Sequence, residues 1–154
     1  MGEEDKESEL ERWRRNFDEL LQELRVTQAG NQILFAFLLT LPFTQRFTET
    51  TQLQRGVYVG TLTCTAIATI LILAPVSHHR ITFRKGFKPQ VAQVGSKLAA
   101  ASLIFILLGL SGALYLAIAI ATANTWAALI TAGIAALGVG MWYLLPLWLW
   151  MRNL

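Results

Sequence analysis

The sequence predicts an all-α integral membrane protein, a four-helix bundle preceded by an amphipathic N-terminal helix. Three observations carry that prediction. Hydrophobic residues make up 54% of the 154 and charged residues only 15%, whereas soluble domains carry about 25% charge. Nine of the ten acids lie between Glu3 and Glu23, and Glu49 is the only one beyond them. A water-facing surface needs acids spread over it, and here they crowd one end. Finally, a spanning helix takes about 20 mainly apolar residues, and segments 56–75, 97–122 and 126–150 each meet that requirement.

Residues 1–25 come first and read as a cytoplasmic amphipathic helix. Leu10, Trp13, Phe17, Leu20 and Leu24 follow a 3-4-3-4 spacing that places them on one face. Membrane-surface helices usually carry a Lys- and Arg-rich polar face, and this one is acid-rich. Its apolar face could pair with another copy as a short coiled coil, lean on the basic segment near residue 80, or rest at the interface and extend the first span. An acid-rich stretch, not a short basic one, precedes the apolar run 33–39, so the first span is expected to stay as an anchor.

The membrane domain is expected over 26–150. Its first span, 26–47, holds Gln28, Asn31 and Gln32 in its opening third and has Arg25 and Arg46 at its ends. As one helix it would be about 33 Å long, matching the hydrocarbon thickness. Charge asymmetry supports counting it. With four spans, Lys6, Arg12, Arg14, Arg15, Arg25, Arg80, Arg84, Lys85, Lys88, Lys97 and Arg152 fall on one side, and Arg46 and Arg55 on the other. The positive-inside rule makes the first side cytoplasmic and places both termini there. Tyr58 and Trp126 would mark outer span ends, and Trp142, Tyr143, Trp148 and Trp150 the inner end of the last span, as an interfacial belt.

Small residues recur every four positions in the later spans: Gly56, Gly60, Cys64 and Ala68; Gly109, Ala113, Ala117 and Ala121; Ala128, Ala132, Ala136 and Gly140. Lipid tails are as apolar as leucine, so helices associate through close packing at such stripes. The spacing predicts a tight bundle with one stripe left for contact between subunits. The lone Cys64 lies on such a stripe and reads as a packing residue.

No paired carboxylates, metal-ligand cluster, phosphate-binding glycine loop or nucleophile motif is present, and no catalytic residue, cofactor or metal is expected. Glu49 is the only acid between residues 26 and 151, and it falls in a loop. A proton-coupled exchanger needs a titratable group within the membrane. Two sets of polar residues remain. Arg25, Gln28 and Gln32 share a helix face, with Asn31 one position round, and Thr61, Thr65 and Thr69 form a ladder along the second span. These seven are the candidate ligand-binding residues for a small ion or solute. Their alternative use is structural, as hydrogen bonds across helices or from threonine back to its own helix. The segment from Ala74 to Gln90 supplies His79, Arg80, Arg84, Lys85 and Lys88, which beside a membrane suit anionic lipid headgroups better than nucleic acid, or serve as a topological stop signal. His78 and His79 alone are too few for a metal.

Two stretches, "ELRVTQAGNQILFAFLLTLPFTQRF" (23–47) and "APVSHHRITFRKG" (74–86), resemble a family of small uncharacterised bacterial four-span membrane proteins. An Arg-Val-x-Gln-x-Gly-x-Gln pattern falls at Arg25, Val26, Gln28, Gly30 and Gln32, and a Pro-Phe-x-x-Arg-Phe pattern at Pro42, Phe43, Arg46 and Phe47. The resemblance implies a bacterial inner-membrane location and no established activity. Some members carry an automatic sodium:proton antiporter label, which the missing membrane carboxylate does not support. The function expected is that of a structural or interaction module in a homo-oligomer, not an enzyme, with membrane lipid as partner. A small transporter or channel subunit is the alternative.

Overall fold

The computed structural model describes residues 3–82, 89–122 and 124–152. The fold is all-helical there, with α1 (Glu3–Thr40), α2 (Gln52–Thr82), α3 (Pro89–Ala121), α4 (Asn124–Val139) and α5 (Leu145–Arg152). Short 3₁₀ turns at Leu41–Phe43 and Gln45–Glu49 join α1 to α2, and a π-helical turn at Gly140–Leu144 joins α4 to α5. Four helical segments are long and apolar enough to cross a membrane: Arg15–Phe43, Gln52–Ser77, Gln93–Ala121 and Asn124–Arg152.

The amphipathic segment and the first span form one helix of 38 residues, about 57 Å long. Its regular helix stops at Thr40 instead of running to Phe47. Pro42 brings no N–H to the ladder, and the hydroxyls of Thr44, Thr48 and Thr50 donate to carbonyls three residues back at 2.7 Å each. Such local bonds compete with a regular helix. Helix α2 then restarts at "TQLQ": the Thr51 N–H donates to Gln54 Oε1 at 2.9 Å, and the Gln54 N–H to Thr51 Oγ1 at 3.3 Å. This reciprocal capping box satisfies two N–H groups that would otherwise lack acceptors. Near the other end of the chain, Pro146 cannot donate to the carbonyl of Trp142, and the turn before it opens into the π form.

The chain divides into two compact units, Met1–Phe37 with Thr65–Phe105, and Leu38–Cys64 with Ile106–Leu154. In the first, α1 buries Phe17, Leu24 and Asn31, seven residues apart. The second half of α2 buries Thr65, Ala68, Ile72 and Pro75 at 3-4-3 spacing, and α3 buries Gly95 and Ser102. Seven-residue spacing is the signature of helices packed side by side along a continuous seam. A methyl group on Gly95 would lie 3.3 Å from Phe17 Cε2 and 3.4 Å from Pro75 Cβ, so glycine permits this three-helix approach. The apolar face read from Leu10 to Leu24 is therefore engaged, at Phe17 and Leu24, within the chain itself.

In the second unit, α2 buries Tyr58 and Thr61, and α3 buries Gly109, Leu116 and Ala119. Helices α2 and α3 approach closely at Gly112, where a Cβ would overlap the Thr61 side chain. The four-residue stripes are used unevenly. Gly109 and Ala68 are buried, whereas Gly56, Gly60, Ala128, Ala132 and Ala136 are exposed. Helix α4 buries only Ala127.

Candidate functional site

In the first unit a polar contact ties α1 to α2. Asn31 is 4% exposed, and its Nδ2 donates to the Thr65 carbonyl at 3.0 Å and to Thr69 Oγ1 at 2.8 Å. Thr69 Oγ1 in turn donates to the same carbonyl at 2.9 Å. A carbonyl can only accept, which fixes the orientation of the amide: nitrogen faces α2 and Oδ1 faces away. That Oδ1 is buried and has no hydrogen-bond partner among the described residues. Leaving a buried acceptor unmatched costs about 1–3 kcal/mol, so this atom is the least satisfied polar group of the contact.

Asn31, Thr65 and Thr69 are brought together by register. Asn31 occupies the seven-residue stripe with Phe17 and Leu24, so an amide stands where the pattern otherwise places an apolar side chain. Thr65 and Thr69 are one turn apart on the facing helix. The other polar candidates of α1 sit differently: Arg25 and Gln32 are exposed, and Gln28 is half-buried. Thr61 belongs to the second unit, where its hydroxyl donates to the Val57 carbonyl at 2.7 Å. The hydroxyls of Thr61 and Thr69 thus donate back to their own helix, as threonine in a helix commonly does.

Arg84, Lys85 and Lys88 lie outside the described residues, and so do the side chains of His79 and Arg80, whose backbone continues α2. Among the described residues no group of three or more His, Cys, Asp or Glu side chains could hold a metal ion. What Asn31, Thr65 and Thr69 offer is one amide and two hydroxyls with no formal charge. Such groups can hold a helix in register and accept one further hydrogen bond at Oδ1.

The second unit has its own polar contacts, at the end that carries the 44–51 loop. The Tyr58 hydroxyl donates to the Leu38 carbonyl at 3.0 Å, and its ring meets Phe47 edge-on at 5.1 Å. Arg55 donates from Nε to Thr50 Oγ1 and from Nη2 to the Thr48 carbonyl, both at 3.3 Å. Gln54 Nε2 donates to Asn124 Oδ1 at 3.2 Å, joining the starts of α2 and α4. The sequence reading did not single out Gln54, Asn124 or Ser102. The Thr-x-x-Gln box at Thr51 was a visible signal for the first of these. Ser102 and Asn124 carry no motif, and only their packing marks them.

The chain matches the Family of unknown function (DUF6328) over residues 6–146 and belongs to that family. No curated protein and no solved structure matches it.

Proposed function

We propose that this chain, with its four helices long and apolar enough to cross a membrane and its basic residues biased to one side, is a multi-pass protein of a bacterial inner membrane with both termini in the cytoplasm. It works there as a structural or interaction module that assembles with copies of itself, and not as an enzyme. The observation that carries the assembly is α4. None of the most apolar stretch of the fourth candidate span is buried within the chain, and Ala128, Ala132 and Ala136 lie exposed along one side of α4. Small side chains let two helix backbones approach closely, which is how helices associate in lipid without a hydrophobic driving force.

Light scattering of the protein in mild detergent tests this. Wild type is expected to run as an oligomer, and Ala132→Leu, which thickens the α4 surface without touching either unit's buried seam, to shift it towards monomer. A monomeric wild type overturns the proposal. Orientation has a separate test: a reporter fused after Arg55 should report outside and one after Gly86 inside.

The buried, unmatched Asn31 Oδ1 favours a second reading, a path or site for a small ion or solute beside α1 and α2. Reconstituted protein would then give flux above protein-free liposomes, lost in Asn31→Leu. Flux equal to that of empty liposomes is the outcome expected for the structural module.

A further inference from the structure

The second unit contains an open groove between the 44–51 loop and the last turns of α3. Leu41, Phe47, Tyr58, Leu116 and Ile120 supply apolar walls, and Arg46 stands among the lining residues. The two arginines of this end behave differently. Arg55 is tied to the loop by two hydrogen bonds. Arg46 is exposed and makes no hydrogen bond or ion pair among the described residues. Glu49, the acid of the same loop, does not line the groove.

The order of these groups along the candidate spans matters. The first span ends at Phe43, the second begins at Gln52 and the third ends at Ala121. Arg46 therefore lies beyond the span ends, at headgroup level, while Leu116 and Ile120 lie within the last turns of the third span. A cation at the rim with apolar walls below it matches the order of phosphate and acyl chain in a phospholipid. Guanidinium pairs with phosphate through two parallel N–H donors, and a long cationic side chain at a helix end reaches for the interface.

We infer that this groove is a binding site for one phospholipid, with Arg46 holding the phosphate and one acyl chain lying against Phe47, Leu116 and Ile120. The site takes no residue from the basic 79–88 segment, and it rests on the membrane placement proposed above. Arg55 shapes the site without contacting the lipid: it does not line the groove, and two of its donors hold Thr48 and Thr50.

Native mass spectrometry of detergent-purified protein, titrated with dioleoyl phosphatidylglycerol, reads the site directly. Arg46→Gln should lose one retained lipid per chain and weaken its retention about tenfold, the worth of one charge-assisted contact. Leu116→Trp, which fills the groove and leaves the cation, should lose the same lipid. Dioleoylglycerol, with identical chains and no phosphate, should be retained no better by wild type than by Arg46→Gln. A double Arg84→Gln, Lys85→Gln variant should keep the lipid that Arg46→Gln loses. Equal lipid retention in wild type, Arg46→Gln and Leu116→Trp overturns the site, as does a change of subunit number in Arg46→Gln without loss of lipid. Release of wild type from membranes by alkaline carbonate without detergent would overturn the placement, and the lipid site with it.

Discussion

The second and fourth candidate spans have nearly the same mean hydropathy, 2.0 and 1.9, yet 28% of the most apolar stretch is buried in the second and 0% in the fourth. Their sequences differ in how small, polar and branched residues are arranged. Along α2, Tyr58, Thr61, Thr65, Ala68, Ile72 and Pro75 form an unbroken 3-4 stripe, and all six are buried. Along α4 the small residues are more frequent, but Ala127 alone is buried and Ala128, Ala132 and Ala136 face outward. Hydropathy reports that a helix prefers an apolar surrounding. It does not report whether lipid or protein supplies it, because both satisfy the same side chains. A helix with protein on one side reveals itself by a stripe in which residue size and polarity are matched to a neighbour. Asn31 opposite Thr65 and Thr69 is such a match, and so is Gly112 beside Thr61.

The contrast can be broken most sharply at Gly112. A leucine there has no room beside Thr61, and forced overpacking should cost about 3 kcal/mol. Mixed-micelle denaturation followed by circular dichroism would measure it. A loss comparable to that of an exposed substitution would mean that α2 and α3 do not approach here.

A smaller effect is expected at the polar contact. Asn31→Ala and Thr69→Val, singly and together, form a double-mutant cycle whose coupling should be about 1 kcal/mol, typical of polar contacts between spanning helices. Additive losses would show that the Asn31 bonds contribute nothing to holding α1 on α2. The smallest effects form a matched pair. Ile72→Val, at a fully buried position, should cost about 1 kcal/mol. Ile130→Val, at an exposed one, should cost less than about 0.5 kcal/mol. Equal losses would erase the distinction between α2 and α4, unless the Ile130→Val loss appears only in the oligomer.

Much of the architecture was legible before any coordinates. Three of the four candidate spans were countable from apolar length, because backbone groups in hydrocarbon must be satisfied within a helix, and the first was counted on charge asymmetry. The amphipathic face of the first 25 residues was visible as a 3-4 spacing, and Phe17 and Leu24 from it are buried. The capping box at Thr51 was also written in the sequence. Other features were not legible for definite reasons. The stop of α1 at Thr40 depends on Pro42 together with three threonine hydroxyls, none of which terminates a helix alone. Helical periodicity placed Gln28 and Gln32 on one face with Arg25 and left Asn31 one position round. The structure buries Asn31, since the stripe that began at Phe17 continues through Leu24 to residue 31 and on to Leu38. The seven-residue interval was present in the sequence, but an amide in the middle of it hid the continuity.

The sequence by itself determined the helical class, the four apolar segments long enough to span a bilayer, and the confinement of acids to one end. Those follow from composition and period, which act residue by residue. Only the tertiary structure decided which polar side chains meet, which glycines are close contacts and which face of the fourth helix stays open. These depend on two helices sharing one space, and an apolar surrounding of lipid or of protein leaves the same mark on a single helix.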